Sequence, residues 1–289
     1  MSIVLGVLGG SGLYDLPGLA NVRKETVTTP FGAPSDSYVV GELGGTTLVF
    51  LPRHGVGHRL TPTEINSRAN IHGMKQLGVT HLVSVSAVGS MKEEIVPGHL
   101  VLVDQFIDRT FARPKSFFGE GIVGHVAFSE PVCAHLRKHV EAACFAAGVK
   151  AWSGGTYLCI EGPQFSTRAE SLLYRSWGID VIGMTAMPEA KLAREAELCF
   201  TTIALATDYD CWREGHDAVT VADVVATMHK NVESAREVIR AIALAASRLE
   251  ARSCGCAKAL DHAVMTAPAA IPAAAREKLS LLLGDRYKA

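Results

Sequence analysis

Short apolar runs bounded by Gly, Pro or polar clusters recur along the chain, the pattern of buried strands. Residues 2–8, 37–43, 46–51, 81–85, 97–103, 156–160, 180–183 and 200–206 all read this way. Gly44-Gly45 joins the second and third as a hairpin turn. Between these runs, apolar residues return at helical spacing. This predicts helices over 61–77, 130–148, 166–177, from Pro188 onward, and 221–249. Strands alternating with amphipathic helices define an α/β fold.

Polar residues collect where the predicted strands end. The run from Phe200 to Ala206 breaks into Thr207-Asp208-Tyr209-Asp210, and open α/β sheets place their chemistry at the carboxyl ends of strands. Asp208 and Asp210 are therefore candidates for acid–base work, or else caps of a loop. Gly9-Gly10-Ser11-Gly12 follows the first strand. It matches neither GxGxxG nor a Walker loop, so its reading is a tight turn or an anion loop. Arg53 and His54 open a Gly-rich loop that also holds His58 and Arg59, a concentrated set of anion donors. Ser86-Ala87-Val88-Gly89-Ser90 predicts a third small, hydroxyl-rich turn able to offer backbone N–H groups. Thr185 stands beside a helix start, another place for an anion. Phe165, between Gly162-Pro163 and a helix start, is either core or a platform for a flat ligand.

Composition narrows the classes. The 289 residues are 48% hydrophobic and 20% charged, enough for one large domain. A formal net charge of −1 gives no field that would favour nucleic acid or an anionic membrane surface, so any anion is captured locally. The first residues do not resemble a signal peptide and no run is long enough to span a bilayer, so a cytoplasmic protein is expected. Seven scattered cysteines do not form a secreted disulfide framework. His54 with His58, and His135 with His139, have metal-pair spacing, but their Gly-rich or cationic neighbours favour loop and surface roles. Cys254-Gly255-Cys256 invites a metal or redox reading.

Gly9-Gly-Ser-Gly-Leu, Arg53-His-Gly, Glu161-Gly-Pro-Gln-Phe-Ser, Met184-Thr-Ala-Met-Pro-Glu and Ala206-Thr-Asp-Tyr-Asp-Cys-Trp, in that order, resemble the S-methyl-5'-thioadenosine phosphorylase branch of the trimeric purine nucleoside phosphorylase family. The resemblance covers residues 3 to 250. It implies one α/β domain with a mixed central sheet flanked by helices over 1–255, while 256–289, Ala- and Pro-rich and then helical from about Ala273 to Leu283, read from their own composition as a peripheral extension. It also implies a homotrimer, with trimers able to pair, that binds only small molecules: a nucleoside, and inorganic phosphate as co-substrate. No cofactor and no active-site metal are expected.

Carried over residue by residue, the resemblance makes Ser11, Arg53, His54, Ser86, Ala87 and Thr185 the phosphate site. Phe165 stacks on the base, Met184 lies against the ribose, and Asp208 and Asp210 face the purine edge. Ser166 and Val221 match positions that separate the family's substrates. Val224 and a neighbouring subunit's His125 line the methylthio pocket. The implied reaction is reversible phosphorolysis of S-methyl-5'-thioadenosine to adenine and 5-methylthioribose 1-phosphate, in purine and methionine salvage. Adenine leaves poorly as an anion, so a buried Asp208 of raised pKa would protonate N7, helped by Asp210. The alternatives are a 6-oxopurine or methylthioinosine phosphorylase and a non-catalytic purine-binding protein. A carboxylate at 208, where an amide would suit an oxopurine, favours adenine. Gly183 counts the other way, because animal adenine-specific members carry Asn before the Met. Microbial relatives share the CxC, which forms a disulfide in some thermophiles; a cytoplasmic pair is more often reduced.

Overall fold

The fold is a computed structural model that describes residues 3–10, 12–213, 221–246 and 253–287, with the side chains of 221–226 set aside. In chain order the elements are β1 (Val4–Gly9), β2 (Ala20–Glu25), β3 (Tyr38–Leu43), β4 (Thr46–Pro52), α1 (Ser67–Gln76), β5 (His81–Ser90), β6 (Leu100–Leu102), β7 (Gln105–Asp108), α2 (Ala134–Ala146), β8 (Ala151–Ser153), β9 (Thr156–Cys159), α3 (Arg168–Ser176), β10 (Val181–Gly183), α4 (Ala186–Glu195), β11 (Cys199–Asp208), α5 (Val221–Ala246), α6 (Ala273–Lys278) and α7 (Ser280–Leu283).

All the strands join one mixed sheet, and β5 is where it forks. One edge of β5 carries β11, parallel from Cys199↔His81 to Asp208↔Gly89. The other edge is shared. β1 pairs with His81 to Ser84, and β10 runs antiparallel against Gly89 and Ser90. From β1 the sheet continues to β4, β3 and β2; from β10 it continues to β9 and β7. Among the described residues, Val85 to Val88 therefore have no strand partner on that edge. The chain leaving β1 and the chain leaving β10 converge on this gap from opposite ends.

Alternation along the strands fills two helical layers. Leu5, Val7, Leu48 and Phe50 pack with Leu136 and Val140 of α2 and with Val238, Ile239 and Ile242 of α5. Leu8, Val49 and Leu51 face the opposite side, with Ile71 and Met74 of α1 and Ala190 and Leu192 of α4. The hairpin turn forms as expected, with Gly44 and Gly45 both at positive φ.

Several expectations change. Ser86–Ser90 is not a turn, because β5 continues through it alongside β11. Thr61-Pro62 does not open a helix: the Glu64 carboxylate accepts from the N–H and hydroxyl of Thr61, closing a turn, and α1 starts at the Asn66 cap, whose side chain accepts from Ala69 N–H. The tail is not peripheral, since Ile271, Ala275, Leu279, Leu282 and Leu283 are core residues. The helix expected after Gly162-Pro163 forms, opened by a capping box of Thr167 and Glu170.

Gly183 has a steric reason. A Cβ there would stand 2.0 Å from Tyr157 Oη and 3.1 Å from Val88 Cγ1. The buried ring of Tyr157 therefore occupies the space a side chain at 183 would need. Gly183→Ala is expected to cost about 1–3 kcal/mol in urea unfolding, as overpacking does, and most of that loss should vanish in a Tyr157→Leu background. Equal losses in both backgrounds would contradict this account.

Candidate active site

The gap beside Val85–Val88 gathers most of the sequence candidates. Arg53 follows β4, and its N–H donates to Gly9 O at 2.9 Å, which ties the ends of β1 and β4 together. Its guanidinium is buried and paired with the equally buried Glu189 of α4. Nη1 donates to Val85 O at 2.9 Å, and Nη2 reaches Ser84 Oγ at 2.7 Å, Glu189 Oε2 at 3.0 Å and Leu8 O at 3.2 Å. Ser84 Oγ in turn donates to Glu189 Oε2 at 2.8 Å. Arg53, expected as an anion donor, is thus largely engaged within the protein. It braces three strands and a helix, and only one Nη1 hydrogen is left over from these bonds.

His54 is half-buried and stacks on His58, with ring centroids 4.1 Å apart. Its Nδ1 lies 2.8 Å from Leu60 O, so Nδ1 carries the proton and Nε2 is the open position. Burial, with the charges of Arg53, His58 and Arg113 adding to it, pushes the imidazole down to about 4. Near neutrality it is therefore uncharged.

Ser86 is buried, its Oγ 3.5 Å from Tyr157 Oη, and Ala87 sits on the unpaired stretch of β5. From the other side come Met184 and Thr185. Among the described residues the Thr185 hydroxyl is buried without a hydrogen-bond partner at the N-terminus of α4, where helix N–H groups also lack intrahelical acceptors. Ser166 Oγ is a second buried hydroxyl without a partner. Both hydroxyls are free to bond a ligand's polar group, as buried hydroxyls ordinarily do. Phe165 is 57% exposed, which excludes the core reading and leaves its ring available.

A β-bulge between Ala206 and Asp208 re-aims the end of β11. Asp208 Oδ2 accepts from Thr207 Oγ1 at 2.7 Å and Oδ1 accepts from Asp210 N–H at 2.8 Å. Asp210 adopts a left-handed φ of 51°, and its carboxylate accepts from Ser171 Oγ. Gly89 leaves room for both, since a Cβ there would meet Asp208 Oδ1 at 3.0 Å and Asp210 Cβ at 3.2 Å. Burial raises both carboxyl pKa values, and the charge of Asp208 adds to the rise at Asp210. Burial and pairing together suit a carboxyl that keeps a proton for donation.

Residues beyond the sequence candidates hold this arrangement. Arg113 pairs with Glu161 at 3.0 Å and donates to the carbonyls of Glu161 at 2.6 Å and Met187 at 2.8 Å, joining the loop before Phe165 to the turn that carries Thr185. Nothing local in the sequence marks Arg113, because its partners are remote in the chain, and Glu189 closes the Met184-to-Glu189 motif without a role being assigned to it. His125 is exposed, and its N–H donates to Ala263 O at 2.7 Å. Ser11 and the side chains of Val221 and Val224 lie outside the described residues.

The chain matches a family model described as the phosphorylase superfamily over residues 4–244. S-methyl-5'-thioadenosine phosphorylase of Geobacter sulfurreducens is 59% identical over 99% of this chain and 99% of its own length. A methylthioadenosine phosphorylase crystal structure sourced from an antarctic soil metagenomic library superposes with a TM-score of 0.91 at 45% identity, covering 98% of this chain and 99% of that one. The Schistosoma mansoni methylthioadenosine phosphorylase, solved with adenine, gives 0.83 at 36% identity over 86% of this chain and 93% of that one. A forked mixed sheet with a half-buried carboxyl pair at the fork, and matches of this extent, place the chain in the phosphorylase superfamily.

Proposed function

We propose that the protein cleaves S-methyl-5'-thioadenosine reversibly with inorganic phosphate, giving adenine and 5-methylthioribose 1-phosphate for purine and methionine salvage. The observation that carries this reading is the raised carboxyl of Asp208 across the fork from the unpartnered Thr185 hydroxyl. Relatives 59% and 58% identical over 99% of this chain, both named S-methyl-5'-thioadenosine phosphorylase, support it.

Breaking the bond between N9 and C1' builds positive charge on the sugar and negative charge on the base. Protonated Asp208 gives its proton to N7, so adenine leaves neutral; Asp210, held by Ser171, keeps Asp208 oriented through its N–H. Phosphate attacks C1' from the fork, held by Thr185, Ser86, the Ala87 N–H, Ser11 and the residual Arg53 hydrogen. His54 starts neutral, and the dianion raises its proton affinity, so it takes up a proton as phosphate binds. Phe165 stacks on the adenine, Met184 packs on the ribose, and Ser166 and Val221 tune which nucleoside fits.

The chain acts in the cytoplasm as a homotrimer in which a neighbour's His125, with Val224, closes the methylthio pocket. Light scattering should return three chain masses, and His125→Ala should raise KM for methylthioadenosine more than for adenosine. A monomer with full activity would exclude this arrangement.

Adenine release should require phosphate, and its rate should fall as pH rises through the raised Asp208 pKa, because the proton donor is then lost. Asp208→Asn should lower kcat/KM on methylthioadenosine by about 10²-fold and raise the relative rate on methylthioinosine. Phosphate-independent adenine release would point to a hydrolase, and an unchanged substrate ratio would remove the role given to Asp208.

A further inference from the structure

At the far end of β11 from Asp208, four of the seven cysteines converge. Cys133 caps the N-terminus of α2, Cys199 opens β11, and Cys254 and Cys256 lie at a short 3-10 turn after α5. Their four Sγ atoms all lie within 4.8 Å of one another. We propose that Cys133, Cys199, Cys254 and Cys256 form a structural site for one thiophilic divalent cation, zinc.

Geometry favours a metal over other uses of these thiols. A tetrahedral zinc with bonds of about 2.3 Å sets sulfurs roughly 3.8 Å apart, close to the packing seen here. The Cys199 and Cys254 sulfurs are 3.3 Å apart, far beyond the ~2.05 Å of a disulfide. All seven cysteines are free thiols. Cys133, Cys199 and Cys256 are buried and Cys254 is half-buried, so the protein supplies four ligands and leaves no coordination position for substrate. A closed four-thiolate set of this kind is structural.

The surroundings suit thiolates. The Leu136 N–H points at Cys133 Sγ from 3.5 Å, at the positive end of α2. The frame is also pinned by backbone, since Cys133 N–H donates to Phe200 O at 2.8 Å, fixing the start of α2 to the start of β11. A divalent cation binds the deprotonated form of each sulfur. Each thiol then releases its proton to solvent, and all four become ligands.

The consequence is mechanical. Cys254 and Cys256 lie on the chain entering the C-terminal extension, whose Ile271, Leu279 and Leu282 complete the core. A metal there clamps the extension to the root of the strand that carries Asp208, and closing so long a loop removes much unfolded-state entropy. The site supports the fold and leaves the chemistry at the fork untouched.

Elemental analysis of the full-length protein, purified without chelator, should find about one zinc per chain. Stripping it with a mercurial reagent and chelator should lower the melting temperature by at least about 5 °C, and readdition of zinc should restore it. Cobalt(II) added to the stripped, reduced protein should give a thiolate charge-transfer band. Cys254→Ser and Cys256→Ser should lose the metal, whereas Cys144→Ser should keep it. If those variants fail to fold, the cobalt titration of the wild-type chain decides alone. Absence of both zinc and the cobalt band would overturn the proposal, as would fewer than seven titratable thiols in the denatured, unreduced protein, which would mean disulfides. Iron in place of zinc would overturn the choice of metal.

Discussion

A guanidinium and a carboxylate buried together beside the sheet's fork set the terms for the rest of this fold. Arg53 and Glu189 are both almost fully excluded from solvent. Neither could be buried alone, since an unpaired interior charge costs several kcal/mol. Their pairing draws α4 against β5, and the remaining Arg53 hydrogens bind the carbonyls of Leu8 and Val85. Those are the residues where β1 stops following β5. The pair thus replaces the missing strand partner at the top of the gap and holds it open. Without it, the N-terminus of α4 would have no polar anchor beside the unpaired edge of β5.

The carboxyl pair at 208 and 210 depends on the same fork from its other end. The bulge in β11 and the left-handed backbone of Asp210 bring two acids against Gly89, where each is hydrogen-bonded once or twice and partly desolvated. Two neighbouring buried carboxyls resist full ionisation. In the proposed reaction an anion site and a proton donor stand on either side of one unpaired strand segment, which is the separation that attack at C1' and departure of a base require.

Much of this was legible in the chain. The strand through Phe200 to Ala206, the Gly44-Gly45 hairpin and the Thr167 cap follow from local periodicity and turn chemistry, and they form as expected. What failed has a common cause. Ser86–Ser90 reads as a turn by composition, yet it extends because β11 lies beside it, a fact of tertiary pairing. The short strands β7 and β8 and the exposed β2 have little apolar signal to read. The bracing role of Arg53, the contribution of Arg113 and the meeting of four cysteines depend on partners distant in sequence. The tail's helices were visible, whereas their place in the core was not.

The central claim is that the Glu189 carboxylate holds Arg53 in place beside the anion site and thereby sets affinity for phosphate. Steady-state kinetics of Glu189→Gln, which keeps the side chain's shape and removes its charge, test this most directly. The account predicts that KM for phosphate rises by about tenfold or more while KM for the nucleoside stays near its wild-type value. A variant that loses thermal stability with both KM values unchanged would contradict it.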